Sequence, residues 1–165
     1  MNVFVINSGS SSIKYQLIRM PEATVVCSGL VDRIGLSGST LHHKAYRDGK
    51  EYVRKENLSI PDHASGLKAV SELLTDSVIG VIRDPKEIEV VGHRVVHGGE
   101  SFSKTMVITN EVMEKIKKLF PLAPLHNPPN YLGIEVATAI FSHAKQVAVF
   151  DTAFHQTMPP VAYRI

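Results

Sequence analysis

The run Val3-Phe4-Val5-Ile6 is apolar at every position. A strand with one wet face alternates, so an unbroken run belongs in the middle of a sheet covered on both sides. The next residues narrow the choice. Asn7 to Ser12 is a small polar loop, and beyond it Ile13, Tyr15 and Leu17 alternate with Lys14 and Gln16. Period two is the spacing of a strand, so the loop joins strand to strand. A third strand is expected over 24–31, before Asp32-Arg33 and the glycines at 35 and 38. Residues 39–60 read as further short strands around an Asp48-Gly49 turn.

Helical spacing begins later. Asp62 is placed to cap a helix with Leu67, Val70, Leu74 and Val78 inward. Residues 88–96 read as a buried strand interrupted by Gly92-His93-Arg94. Asn110 is expected to cap a short helix with Met113, Ile116 and Phe120 inward. Lys115, Lys117 and Lys118 crowd its last turn, which suits the helix dipole. Pro128-Pro129-Asn130 precedes a helix through Ile134, Ala137 and Phe141, and a last buried strand covers 147–150. Antiparallel strands followed by crossover units predict an α/β chain, a mixed sheet with helices on its faces.

At 165 residues the chain can bury a substantial core. Its net charge of +2 gives no electrostatic case for nucleic acid or a membrane as partner. The first residues show no basic segment and no cleavage site, and no apolar run is long enough to cross a bilayer. The single cysteine, Cys27, is expected in the core and fits a reducing compartment. A cytoplasmic protein is the expectation. The end, Pro159 to Ile165, has neither a helix stop nor a polar tail and reads as a cut.

Four segments could carry chemistry. In Asn7-Ser8-Gly9-Ser10-Ser11-Ser12-Ile13-Lys14, small residues let backbone N–H groups approach an anion, and Lys14 adds charge. It lacks the Gly-Lys-Ser/Thr ending of a P-loop and leads into a strand. The plain alternative is a hairpin turn without a ligand. Gly92-His93-Arg94-Val95-Val96-His97-Gly98-Gly99-Glu100 sets an arginine at a strand end, where it can grip a carboxylate or phosphate in bidentate fashion or form an ion pair. His93 and His97 share a strand face but are too few for a metal site. Leu122-Ala123-Pro124-Leu125-His126-Asn127-Pro128-Pro129-Asn130 holds one imidazole in a stiff loop, as a pocket wall or a mere connector. Asp151, after a buried strand, suits Mg²⁺, general-base work or a helix cap. Asn7, Arg94 and Asp151 each stand at a strand end. In open α/β sheets ligands gather beyond the carboxyl ends of the strands, so parallel strands would line all three along one edge.

Together the four segments, with Ala148 to Thr157 as the last, resemble those of the acetate kinases, within the acetate, propionate and butyrate kinase group. They span nearly the whole chain in the family's order. The resemblance implies a ribonuclease-H-like mixed sheet with helices on both faces, one lobe of the actin/hexokinase/Hsp70-type kinase fold. It implies ATP as co-substrate, Mg²⁺, acetate or another short acyl acid, and a homodimer. By this resemblance Asn7 organises the Mg²⁺–phosphate region, and Ser10, Ser12 and Lys14 line the phosphate path. Arg94 holds the acyl carboxylate or the phosphoryl group, and Val96 and Leu125 form part of the pocket for the acyl methyl. His126 lines the phosphoryl site and Asp151 is the central acid. A carboxylic acid, with a pKa near ~4, is already ionised at neutral pH, so Asp151 has no proton to remove and is expected to act by orientation.

Family members are more than twice this long. Residues 1–165 therefore read as an N-terminal acyl- and phosphate-binding lobe with an inserted strand segment at about 36–60. The C-terminal nucleotide-binding lobe is expected to lie outside these residues, and the chain alone is expected to be inactive. A sugar-kinase lobe of the same fold and a non-catalytic binding module are the alternatives.

Overall fold

The computed structural model describes residues 1–95 and 105–150. The first five strands are β1 (Asn2–Ser8), β2 (Ile13–Arg19), β3 (Thr24–Asp32), β4 (Thr40–Arg47) and β5 (Lys50–Asn57). Helix α1 (His63–Leu74), strands β6 (Ile88–Val95) and β7 (Met106–Val107), helices α2 (Asn110–Lys118) and α3 (Asn127–Ile140), and strand β8 (Lys145–Phe150) follow. The described strands form one sheet in the order β5-β4-β3-β2-β1-β6-β8-β7. Strand β1 is antiparallel to β2 and parallel to β6, and β6 is parallel to β8. The sheet therefore changes sense at the apolar strand that opens the chain. Antiparallel β1, β2 and β3 beside the parallel β6 and β8 form the ribonuclease-H-like arrangement, with β4 and β5 extending its antiparallel edge.

One sheet face carries the main core. Phe4 packs on Tyr15 and on Phe141 of α3, with ring centroids 5.6 and 5.4 Å apart. Leu67, Val70 and Leu74 bring α1 onto the same face. Helix α2 joins α3 over Val95 and Ala148 through Val112, Ile116 and Ile134. Among the described residues all three helices lie on this face, where the expectation placed helices on both. The connections β5–α1–β6 and β6–α3–β8 both advance the same way across the sheet. Right-handed crossovers that advance in one direction deliver their helices to one side. On the other face Val5 and Ile18 are buried with Val3, Met20 and Val25 around them.

Local chemistry explains the element limits. Asp62 caps α1, its carboxylate accepting from Ser65 N–H at 2.8 Å. The helix stops at Leu74 rather than reaching Val78, which is 60% exposed. Asp76 ends it by accepting from the N–H groups of Val78 and Ile79 at 2.8 and 3.0 Å, a competing local turn. The cap of α2 is Thr109, one residue before Asn110. Strand β6 runs through Gly92-His93-Arg94 without interruption, held by ladders to β1 and β8 on its two sides. The prolines at 128 and 129 lie inside the first turn of α3, where a missing N–H costs nothing. At the β4–β5 turn, Asp48 and Gly49 both take positive φ, 54° and 75°, the form that matches strand twist in a two-residue hairpin.

Candidate active site at the carboxyl ends of the parallel strands

Strand β1 ends in Asn7 and Ser8, and β6 ends one residue after Arg94. The two strands are parallel, so these residues reach the same edge of the sheet. Lys14, at the start of β2, pairs directly with Asn7 in the antiparallel register. His126 stands at the entry to α3 and Asn130 in its first turn. The edge opens into a cleft of about 400 Å³ lined by Asn7, Ser12, Lys14, Arg94, His126 and Asn130, with Ser8, Gly9 and Leu30 between them.

The loop between β1 and β2 is tied down from three sides. Gly9 N–H donates to Ser12 carbonyl at 2.8 Å, closing the turn. A Cβ on Gly9 would come within 2.8 Å of Ser12 Oγ, so a glycine suits this closure. His63 of α1 donates from Nε2 to Gly9 carbonyl at 2.6 Å. Asn130 Nδ2 donates to Ser8 carbonyl at 2.8 Å. Ile34 N–H reaches Ser11 carbonyl at 2.9 Å. Carbonyls that would repel an anion are thereby turned into the scaffold. Among the described lining residues Lys14 and Arg94 bring positive charge and no side chain brings a carboxylate, so the cleft suits an anion.

His93 takes no part in the cleft. It projects to the helix side, is 2% exposed, and donates from Nε2 to Gln146 Oε1 at 2.7 Å. Burial pushes its pKa down to about 4, against a smaller upward pull from the Gln146 bond, so it is a neutral packing residue. Alternation along β6 sends Arg94 to the opposite face from His93. Burial likewise pushes the Cys27 thiol up to about 12, in keeping with a core position.

Of the residues singled out in the sequence, Asn7, Ser12, Lys14, Arg94 and His126 meet in one cleft. Ser10 is exposed on the loop and outside the lining, and Leu125 is 77% exposed and also outside it. Val96 and Asp151 lie outside the described residues, as does His97. Sequence reasoning missed His63 and gave Asn130 no role of its own. An asparagine just after two helix-opening prolines was the available signal for the second. Nothing local marked His63, whose partner is 54 residues away.

Mg²⁺ is a hard cation that keeps several waters and leans on phosphate oxygens. The described lining offers it the oxygens of Asn7 and Ser12. No group of three His, Cys, Asp or Glu among the described residues could cage a metal. This donor set fits a hydrated ion carried in with a phosphate chain.

The comparisons agree with the geometry. The model of the acetokinase family matches residues 2–165. Acetate kinase of Flavobacterium johnsoniae is 56% identical over 99% of this chain and 41% of its own length. That of Thermotoga maritima is 52% identical, again over 99% of this chain and 40% of its own. The crystal structure of Porphyromonas gingivalis acetate kinase aligns with a TM-score of 0.84 at 43% identity, covering 96% of this chain and 39% of that one. A propionate kinase from Francisella tularensis aligns at 0.81 and 37%, covering 96% and 38%. The chain thus spans about two-fifths of the length of the relatives it matches, and its fold is the actin/hexokinase/Hsp70-type kinase fold of these neighbours. Its strand order, polar loop and cationic cleft accord with that match, and this chain belongs to the acetokinase family.

Proposed function

We propose that residues 1–165 form the acyl- and phosphate-binding lobe of an ATP:acetate phosphotransferase. The observation that carries the reading is the convergence of Asn7, Ser12, Lys14, Arg94 and His126 on one cleft. In the reaction an acetate oxygen attacks the γ-phosphorus of ATP and the bond to the ADP oxygen breaks, giving acetyl phosphate and ADP. The nucleophile carries no proton, since a carboxyl group with pKa near ~4 is ionised at pH 7. Catalysis then reduces to alignment and charge stabilisation.

Arg94 is assigned to the acyl carboxylate or the moving phosphoryl group, through paired N–H donors. Lys14, with the Ser10 and Ser12 hydroxyls, is assigned to the phosphate path, and His126 to a phosphoryl oxygen. Asn7 would hold the Mg²⁺ through water, and the ion would supply neutralising charge on the phosphates. Asp151 is assigned to orientation rather than proton removal, and Val96 and Leu125 to the acyl methyl. A wall that differs by one methylene discriminates by only ~1–3 kcal/mol, so a short acyl acid is as far as the assignment reaches. The 165 residues are proposed to be inactive by themselves, since they cover only 41% of the length of a relative described as an acetate kinase. The working enzyme is proposed to be a cytoplasmic homodimer.

The test is acetyl phosphate formation from acetate and ATP, by the chain alone and with the C-terminal part of a related kinase added. Activity only with the added part, lost in Arg94→Ala, is the expected result. Activity from the chain alone would overturn the division of labour. An active Arg94→Ala reconstitution would overturn the role of the arginine.

A further inference from the structure

The register of β1 on β2 pairs Asn7 with Lys14 and Ser8 with Ile13, and the next pair in line is Gly9 with Ser12. In an antiparallel ladder a hydrogen-bonded pair exchanges two bonds, so a two-residue loop of Ser10 and Ser11 would close with both. Only one is present. Gly9 N–H donates to Ser12 carbonyl at 2.8 Å, but Gly9 carbonyl takes no bond from Ser12. It accepts from His63 Nε2 instead, at 2.6 Å. A carbonyl only accepts, so Nε2 carries the proton. Ser12 N–H is left without an acceptor among the described residues.

His63 is buried and opens α1, whose start Asp62 fixes as the N-cap, so the imidazole reaches the loop from a rigid element. Ser12 lines the cationic cleft together with Lys14 and Arg94, whereas His63 is outside the lining. A backbone N–H with no internal acceptor, beside two cations, suits an anion's oxygen. We propose that His63 is a positioning residue for phosphate: by holding Gly9 carbonyl toward α1, it keeps Ser12 N–H out of the hairpin and open to a phosphoryl oxygen. This role rests on the reading of the cleft as a phosphate site, and it adds a residue that touches no substrate. Without the imidazole, Ser12 N–H closes onto Gly9 carbonyl and the loop becomes an ordinary hairpin turn.

The experiment is NMR titration of the labelled 165-residue chain with inorganic phosphate. In the parent chain phosphate is expected to shift the Ser12 backbone amide along with the Lys14 and Arg94 side chains. In His63→Leu, which has no donor, a scalar coupling across a new hydrogen bond from Ser12 nitrogen to Gly9 carbonyl carbon is expected, absent from the parent. Phosphate affinity is expected to fall about tenfold, as for one lost hydrogen bond to a charged group. His63→Gln places an amide N–H at a similar reach and is expected to bind within about twofold of the parent, without the coupling. If His63→Leu fails to fold, His63→Asn, polar but too short to reach Gly9, is read in its place with the same expectation. Equal losses in His63→Gln and the donorless variant, or parent-like binding by the latter with Lys14 and Arg94 still shifting, would overturn the role of His63 alone. No shift at Ser12, Lys14 or Arg94 in the parent would overturn the phosphate reading of the cleft and this role with it.

Discussion

Tyr15 and His43 stand on β2 and β4, with Gly29 of β3 between them in register. The Tyr15 hydroxyl reaches His43 Nδ1 at 2.5 Å across that glycine. A Cβ at position 29 would run into the Tyr15 hydroxyl and ring and the His42 carbonyl. Gly29→Ala is therefore expected to destabilise by ~1–3 kcal/mol, as overpacking does, measured by urea unfolding. The same two-strand reach makes His43 a buried neutral imidazole. Burial, aided by the Arg54 charge, pushes its pKa down to about 4, and His93 is pushed to about 4 by burial as well. Both lie below the ordinary 6.5, so the unfolded chain binds more protons between these limits. Their stabilisation is full above pH 6.5 and is lost as pH falls toward 4. Urea midpoints measured from pH 7 to pH 4 are expected to fall across this window, and His93→Gln to flatten part of the fall.

At the scale of elements, α3 fixes the cleft. Gly133 lies so close to β1 that a Cβ there would sit 2.6 Å from Ser8 Cβ. Three residues earlier, Asn130 holds Ser8 carbonyl. Gly133→Ala gains ~1 kcal/mol of helix propensity and loses ~1–3 kcal/mol to the clash, so net destabilisation is expected in thermal unfolding. The loss of the Asn130–Ser8 bond should show in the same variant as faster exchange of the Asn130 side-chain amide. Helix α2 depends on its cap, where Thr109 Oγ1 accepts from Val112 N–H at 3.2 Å. Thr109→Ala is expected to cost about 1 kcal/mol, read from urea melts. Element legibility followed the locality of the cause. The period-two strands, the Asp48-Gly49 turn and the Asp62 cap depend on neighbours in sequence and were readable. The end of α1 at Leu74 was not read, because Val78 continues the helical spacing and the competing turn depends on how Asp76 orients. The break expected at Gly92-His93-Arg94 vanished because ladders from two distant strands hold β6 straight.

For the whole molecule, the site was legible as residue types at strand ends but not as a place. Asn7 and Arg94 are 87 positions apart, and only the parallel pairing of β1 with β6 makes them neighbours. No local pattern reveals a parallel register. The same holds for the described helices sharing one sheet face, which follows from the direction of the crossovers rather than from any residue. No described helix is long and apolar enough to cross a membrane. The far edge of the sheet is β5, where Lys50, Glu51, Arg54, Lys55 and Glu56 set charges of both signs along the strand. Charged edge strands resist pairing with other copies.

The change of sense at β1 also has a consequence in time. Strands β1 to β5 pair as neighbours in sequence, so short loops bring them together early. The partners β6 and β8 arrive only after closures of many tens of residues. Pulsed hydrogen exchange during refolding is expected to protect β2, β3 and β4 before β6 and β8. The cationic cleft draws on both stages, Asn7, Ser12 and Lys14 from the first and Arg94, His126 and Asn130 from the second. Its capacity to hold an anion should therefore be the last property the chain acquires and the first that slow unfolding removes.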